Sequence, residues 1–143
     1  YTTRDTFRRS FNYRRFWKHI ETKDKIIKAI AYATDREDEN QRKFQHALRS
    51  IGFNVKLKPY ISRADGSSKG DWDVGITIDI LESVEQVEKI ILLSGDGDFD
   101  LLVQKVIAKY GCIVEIYGVR SLTANSLINA ASEFHPISDK FLV

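Results

Sequence analysis

The sequence predicts an α/β fold with a largely parallel central sheet, and three observations lead to this class. Apolar runs that suit strands alternate along the chain with segments whose apolar residues recur at helical spacing. One run of four apolar residues, 90–93, leads directly into Ser-Gly-Asp-Gly-Asp, which is typical of a strand buried on both faces. The 143 residues, of which 43% are hydrophobic, suit a single domain with its own core.

The first half of the chain is predicted to contain a helix, an inner strand, a polar helix, an alternating strand and a mobile loop rich in Gly and Ser. In that order, these elements are expected over residues 12–20, 25–33, 38–50, 53–60 and 62–70. The polar helix should end at Gly52, because glycine commonly terminates helices. Its predicted inward-facing residues are Phe44, Ala47, Leu48 and Ile51.

The second half alternates helix and strand three times. The predicted elements cover residues 72–84, 89–94, 98–110, 112–117, 123–131 and 134–137. Segment 72–84 fits both a strand alternation and a helical stripe, and its length favours the helix. Helix 98–110 should end at Gly111, and its predicted inward-facing residues are Leu102, Val103, Val106 and Ile107.

The composition restricts the chemistry. The single cysteine, Cys112, cannot form an internal disulfide, so it indicates a reducing compartment such as the cytoplasm. Three scattered histidines and one cysteine do not make a zinc-type ligand set, and any metal is therefore expected to be held by oxygen. No apolar run has the length of a membrane span, so no membrane partner is expected.

Two carboxylates follow the apolar strand 90–93 at its carboxyl end, where open α/β sheets place their ligands. Gly95 and Gly97 would let the backbone turn sharply and approach whatever binds. Asp96 and Asp98 therefore suggest an acidic site for Mg²⁺ or Mn²⁺, which prefer carboxylate oxygens. The alternative interpretation is a turn followed by a helix N-cap at Asp98, and capping and ligation are compatible.

Three segments resemble one family when they are taken together. They read Lys-Gly-Asp-Trp-Asp-Val-Gly-Ile-Thr-Ile-Asp at 69–79, Leu-Leu-Ser-Gly-Asp-Gly-Asp-Phe-Asp-Leu-Leu-Val at 92–103 and Ala-Asn-Ser-Leu-Ile-Asn-Ala-Ala-Ser-Glu-Phe at 124–134. In this order they are similar to the NYN domain, and in particular to its LabA-like bacterial branch. The NYN domain is a member of the PIN-like nuclease superfamily. The resemblance covers about the last two thirds of the chain.

The resemblance implies a Rossmann-like, three-layer PIN-like domain that spans residues 1–143, binds Mg²⁺ or Mn²⁺ and hydrolyses RNA phosphodiester bonds. It assigns catalysis and metal binding to Asp73, Asp96 and Asp98, and a further acidic position to Asp79. Ser94 and Lys69 match positions that would contact substrate. The family carries another acidic residue after a first strand that is absent here, so we expect the native protein to extend upstream and to supply both.

Basic residues are concentrated among residues 1–20, although the net charge is only +2. Arg8 and Arg9, with Arg63 and Lys69 in the predicted loop, would suit RNA backbone contacts. The alternative is that these cations form a solvated face. The polar segment 120–125 would line a substrate groove or form a simple loop.

The runner-up function is a non-catalytic nucleic-acid-binding or regulatory module on the same fold. A third option is a phosphohydrolase that acts on small phosphate esters, since clustered aspartates are not unique to nucleases. The sequence leaves open whether the chain forms a homodimer.

Overall fold

The computed structural model describes residues 2–35, 37–59, 61–62, 68–69 and 71–143, and it confirms the α/β class. In chain order its elements are α1 (Thr2–Phe7), α2 (Tyr13–Glu21), β1 (Ile30–Asp35), α3 (Glu39–Ile51), β2 (Asn54–Pro59), β3 (Ile61–Ser62), β4 (Ser68–Lys69), α4 (Asp73–Ser83), β5 (Lys89–Leu93), α5 (Asp100–Tyr110), β6 (Ile113–Gly118), α6 (Asn125–Ala130) and β7 (Glu133–Pro136). Short 3-10 helices lie at Gly97–Phe99, Arg120–Leu122 and Asp139–Phe141.

The chain divides into two compact units. The larger unit contains the residues up to Asn12 together with Asp73–Val143, and the smaller unit is Tyr13–Trp72. The described parallel strands form one sheet in each unit, which agrees with the predicted parallel pairing. The expectation of a single domain stays a prediction.

The larger unit is built on a three-stranded parallel sheet in the order β5-β6-β7. The central strand β6 is the most buried, because it has a hydrogen-bonded neighbour on each side. Alternate residues of β6, Val114 and Ile116, enter an apolar core that Val103 and Val106 of α5 and Leu127 of α6 complete. This packing fixes the carboxyl ends of β5 and β6, where the candidate site lies.

Strand β5 is less buried than its sequence predicts. Leu92 is 9% exposed and belongs to the core, whereas Leu93 is 41% exposed. The expectation of a strand buried on both faces is therefore wrong for Leu93. The reason is position, since β5 lies at the edge of the described three-stranded sheet and β6 takes the central place.

Helix α5 agrees with the prediction. Val103 and Val106 are buried, and Leu102 and Ile107 pack against the same core. Gly111 ends the helix in the left-handed region at φ 65°, and its N–H donates to the carbonyl of Ile107. The predicted start at residue 98 falls in the 3-10 turn that precedes the helix.

The segment from Ser10 to Asn12 pairs with the end of the chain. Phe11 and Leu142 form an antiparallel bridge. The N–H of Asn12 donates to the carbonyl of Phe141 at 2.6 Å, and the N–H of Val143 donates to the carbonyl of Ser10 at 2.9 Å. These contacts attach both segments to the larger unit.

The smaller unit contains the parallel pair β1–β2 and the helices α2 and α3. The predicted strand 25–33 was placed too early, because β1 begins at Ile30, where its pairing with Asn54 of β2 starts. Asp38 caps α3 by accepting a hydrogen bond from the Asn40 N–H, and Gly52 ends it, as predicted.

The buried face of α3 is rotated from the predicted one. Leu48 is buried as expected, but Gln45 is buried beside it, while Ala47 is exposed. Phe44 is 40% exposed, and its ring packs edge-on against Tyr13 with 5.5 Å between centroids. The inward orientation of Phe44 and Ala47 is therefore wrong.

The predicted loop 62–70 is interrupted by a short antiparallel pair. Ile61 pairs with Lys69 and Ser62 pairs with Ser68, so the loop prediction is wrong at Ser62, Ser68 and Lys69. Residues 63–67 and 70 lie outside the described part of the structure. None of the helices that the structure describes has the length and apolar character needed to cross a membrane.

Candidate metal centre

Three aspartates of the larger unit come together, as the family resemblance implies. Carboxylate oxygens of Asp73, Asp96 and Asp98 all lie within 4.8 Å of one another. We call these residues the aspartate group. Asp73 comes from the first turn of α4, and the other two follow the carboxyl end of β5.

Backbone and side-chain hydrogen bonds define the turn of residues 94–98, which we call the aspartate turn. Asp96 caps the 3-10 helix, because its Oδ1 accepts a hydrogen bond from the Asp98 N–H at 2.9 Å. The Asp96 N–H donates to Ser94 Oγ at 3.1 Å. The structure therefore confirms a capped turn at this position, but the capping residue is Asp96 and not Asp98.

The two glycines of the aspartate turn are required by close packing against the chain itself. A Cβ atom on Gly95 would overlap the carbonyl oxygen of Leu122. On Gly97 it would lie 2.9 Å from the Ala124 Cβ and 3.2 Å from Ser126 Oγ. The glycines thus allow close approach, as predicted, but the partner is the segment that follows β6.

Two members of the aspartate group, Asp96 and Asp98, carry charge that no described cation neutralises. Asp96 and Asp98 are exposed. Within the described residues the Asp98 carboxylate has no hydrogen bond or ion pair, and Asp96 makes only its cap. Carboxylates this close repel each other unless a cation lies between them.

The donor set fits a hard divalent cation. All three donors are carboxylate oxygens, the ligands that Mg²⁺ and Mn²⁺ prefer. Opposite oxygens around one Mg²⁺ lie about 4.2 Å apart, twice the usual bond length. The observed spread of at most 4.8 Å is near this value, so Asp73, Asp96 and Asp98 together could hold one such ion.

Asp79 is not a member of the aspartate group. It lies six positions after Asp73 on α4, and this spacing places the two residues on different faces of a helix. Its ligand role stays a prediction. Ser94 lies within the site, where its hydroxyl oxygen accepts from the Asp96 N–H, and its contact with substrate also stays a prediction.

The predicted cationic contacts in the 62–70 segment are only partly described. The backbone of Lys69 pairs with Ile61 in the β3–β4 pair, and its side chain lies outside the description. Arg63 lies outside the described residues altogether. Both remain predictions.

Arg8 and Arg9 have different surroundings. Arg8 is exposed and has a positive φ of 56°. Arg9 Nη1 donates to Asp139 at 3.0 Å, and Arg9 Nε donates to the carbonyl oxygen of Val143 at 2.9 Å. These contacts give Arg9 a structural role at the end of the chain. Contact of Arg8 and Arg9 with RNA stays a prediction.

A second charged cluster in the larger unit was not found from the sequence. Glu115 Oε2 lies 2.7 Å from Lys89 Nζ, and Glu115 Oε1 accepts a hydrogen bond of 2.7 Å from His135 Nε2. His135 Nε2 also lies 3.6 Å from Glu133. We call Lys89, Glu115, Glu133 and His135 the glutamate group.

The glutamate group is a largely self-neutralised network. Burial of Glu115 acts to raise its pKa, but hydrogen bonds and charges from Lys89 and His135 outweigh burial, so its pKa is lowered. The His135 ring stacks on buried Tyr117, with 4.5 Å between centroids. Carboxylates of Glu115 and Glu133 lie within 4.8 Å of the histidine nitrogen, but the Lys89 ammonium already serves as a cation for Glu115.

The signal for this second group is present in the sequence only as strand periodicity. Glu115 and Tyr117 are two residues apart on β6, and so are Glu133 and His135 on β7. The register that pairs Glu115 with Glu133 and Tyr117 with His135 is a tertiary fact. The sequence alone, without that register, does not place His135 next to Glu115.

The fold and the site define an α/β protein with a candidate divalent-metal site at the carboxyl end of a parallel strand. The family model described as "NYN domain" matches residues 1–138. The chain belongs to the NYN domain family.

Two relatives support the family and the fold. The chain is 30% identical over 120 residues to the low amplitude and bright protein LabA of Synechococcus elongatus, an alignment that covers 80% of this chain and 64% of that protein. The chain thus spans slightly less than two thirds of this curated relative. A crystal structure of a protein of unknown function from Vibrio parahaemolyticus superposes with a TM-score of 0.93 at 48% identity, covering 100% of this chain and 88% of that one.

Proposed function

We propose that this protein is a divalent-metal-dependent ribonuclease that hydrolyses RNA phosphodiester bonds. The observation that supports the proposal most is the convergence of Asp73, Asp96 and Asp98 within 4.8 Å, in a chain of the NYN family. Together they would hold Mg²⁺ or Mn²⁺.

The chemistry of phosphodiester hydrolysis suits this arrangement. When bound, a divalent ion would supply neutralisation of phosphate oxygens and activation of the attacking water. The exposure of Asp96 and Asp98 makes the group accessible to a phosphate within a long strand. The cap from Asp96 to the Asp98 N–H holds the turn in shape, so that its carboxylates are preorganised for the cation.

The test is cleavage of labelled single-stranded RNA by the full-length native protein with Mn²⁺ or Mg²⁺. Asp96→Asn/Asp98→Asn should lower cleavage by at least about a hundredfold, because asparagine keeps the cap but removes the charge that binds metal. Calorimetric titration with Mn²⁺ should show a matching loss of affinity.

The matched control is Glu82→Gln/Glu85→Gln, which removes the same charge from two exposed residues, one in the last turn of α4 and one in the turn that follows it. It should cleave RNA like the wild type. Cleavage that survives in the aspartate variant would come from a contaminant and would contradict the proposal. RNA binding without cleavage by the wild type would instead establish the alternative, a non-catalytic nucleic-acid-binding module.

The remaining expectations belong to this proposal. RNA is the proposed partner, and the buried free thiol of Cys112 supports the reducing cytoplasm as the location. Burial raises the pKa of this thiol, which favours a packing role over a nucleophilic one. A homodimer stays a prediction, which light scattering of the purified protein would test.

A further inference from the structure

The segment that follows β6 packs directly on the aspartate turn. The Ala124 N–H donates to the carbonyl oxygen of Gly95 at 3.0 Å. Leu122 lies against Gly95, and Ser126 lies against Gly97, so closely that neither glycine could carry a side chain without displacing its neighbour. Residues 122–126 are therefore fixed to the backbone that carries Asp96 and Asp98.

Arg120 opens this segment and is held in a defined place. Its backbone continues from Val119, which is buried at the end of β6. The Leu122 N–H donates to the carbonyl oxygen of Val119 at 2.9 Å, which closes the 3-10 turn. The position of Arg120 relative to the aspartate turn is thus set by the fold of the larger unit.

The Arg120 side chain is exposed and carries a charge that no described carboxylate neutralises. Its Nη2 donates to Asn125 Oδ1 at 3.2 Å, and Asn125 is neutral. Arg9 in the same unit differs, because Asp139 pairs with it at 3.0 Å. Among the described residues, Arg120 thus has an orienting partner but no counter-ion.

A guanidinium in this state is suited to bind phosphate. It presents several N–H donors in a planar fork that matches two phosphate oxygens, and one bond to a neutral amide leaves most donors available. Asn125 restricts the side chain before a ligand arrives, which lowers the entropy lost on binding.

We propose that Arg120 is a substrate-binding residue that contacts a phosphate of the RNA strand, and that Asn125 is its positioning residue. This inference rests on the proposed function, since it assigns a further contact to the same site. The contact is to the sugar–phosphate backbone of the strand, so it raises affinity without reading the bases.

The test measures binding of a short fluorescein-labelled oligouridylate to the full-length native protein by anisotropy. Ca²⁺ replaces Mn²⁺ as a hard cation for the carboxylates, after a gel has shown that the RNA stays intact. Arg120→Gln should weaken binding about tenfold and lower the slope of affinity against salt by about one. Arg120→Lys should keep the slope and lose part of the affinity, because it retains the charge but not the fork.

The matched control is Lys109→Gln, which removes one exposed positive charge from the last turn of α5. That position lies about 13 Å along the helix axis from the first residue of α5. It should bind RNA like the wild type. Equal weakening by Arg120→Gln and Lys109→Gln would overturn the inference, because only overall charge would then matter.

A cleavage arm with Mn²⁺ separates this inference from the proposed function. Asn125→Ala should raise KM severalfold and leave kcat unchanged, a split that general unfolding would not produce. Cleavage with an unchanged KM in Arg120→Gln would overturn the Arg120 contact and leave the ribonuclease proposal standing. Binding that depends on Arg120 without any cleavage would support the Arg120 contact and overturn the ribonuclease proposal. A wild type that neither binds nor cleaves RNA would overturn both.

Discussion

The larger unit holds two clusters of carboxylates that differ in how their charge is balanced. In the glutamate group, Glu115 is buried and receives both a lysine and a histidine at 2.7 Å. In the aspartate group, Asp96 and Asp98 are exposed and have no described cationic partner. The comparison teaches that clustered acids alone do not indicate a metal site, because an internal cation such as Lys89 can balance their charge.

The clusters also differ in what holds them in place. Side-chain contacts and stacking on Tyr117 hold the glutamate group. Backbone packing at Gly95 and Gly97 holds the aspartate turn. Substitutions should therefore affect the two clusters in different ways.

The largest effect is expected from the backbone support of the aspartate turn. Gly95→Ala should lower the free energy of unfolding by about 3 kcal/mol, because its Cβ would overlap a backbone oxygen that cannot rotate away. Urea denaturation measures this loss. Gly111→Ala is the control and should cost only about 1 kcal/mol, because its site is open and only its positive φ is strained. Equal costs would show that the packing at Gly95 adjusts easily.

The next effect separates the clusters by their response to metal. Mn²⁺ at about one hundred times its Kd should raise the free energy of unfolding by about 2.7 kcal/mol through binding to the folded state. Asp96→Asn/Asp98→Asn should abolish this gain, and Glu115→Gln should retain it. A gain that Glu115→Gln abolishes would place the metal at the glutamate group.

A smaller loss is expected from Glu115→Gln, about 2 kcal/mol at neutral pH, because Lys89 and His135 lose their shared acceptor. The folded state lowers the pKa of Glu115, so its stabilisation is complete above the unfolded-state pKa. That stabilisation disappears as the pH falls through the folded-state pKa. The difference between variant and wild type should therefore shrink in acid, as urea titrations at several pH values would measure.

The control for this pH dependence is Glu133→Gln. Its carboxylate is 63% exposed and 3.6 Å from His135, so the change should stay within about 0.5 kcal/mol. A loss for Glu115→Gln that is constant down to acid pH would show that packing, and not charge, explains the effect.

The smallest effect has the opposite sign. Without divalent metal, Asp98→Asn should raise the free energy of unfolding by about 0.3 kcal/mol, because it removes repulsion among exposed carboxylates. Salt should diminish the gain by screening. Glu82→Gln, an exposed acid outside both clusters, should change nothing measurable. Destabilisation by Asp98→Asn in metal-free buffer would mean that the aspartate group has a cation of its own.

Local pattern was sufficient for most helices and strands. The stop signals at Gly52 and Gly111 fall where the helices end. The predictions that were wrong depend on which residues are neighbours in space. Residues 25–29 look like a strand, but β1 begins only at Ile30, where β2 provides a partner. Leu93 is apolar and yet exposed, because exposure depends on the position of β5 in its sheet.

The candidate site was predictable in part. Asp96 and Asp98 are close in sequence, and the motif around them resembles the family to which the chain belongs. Asp73 could be joined to them only through the resemblance, because it lies on a different element more than twenty residues earlier. The support by residues 122–126 could not be predicted, since no local rule says which loop packs on which turn.

The sequence by itself determined the α/β class, the main helices and strands, and the acidic turn after β5, because each depends on the spacing and conformational preferences of neighbouring residues. Only the tertiary structure decided which charges meet. Strand register brought Glu115 to Lys89 and His135, whereas the packing of α4 and the aspartate turn brought Asp73 to Asp96 and Asp98. The physical reason is that electrostatic interaction depends on distance through space, and residues far apart in sequence acquire that distance only when the core has packed.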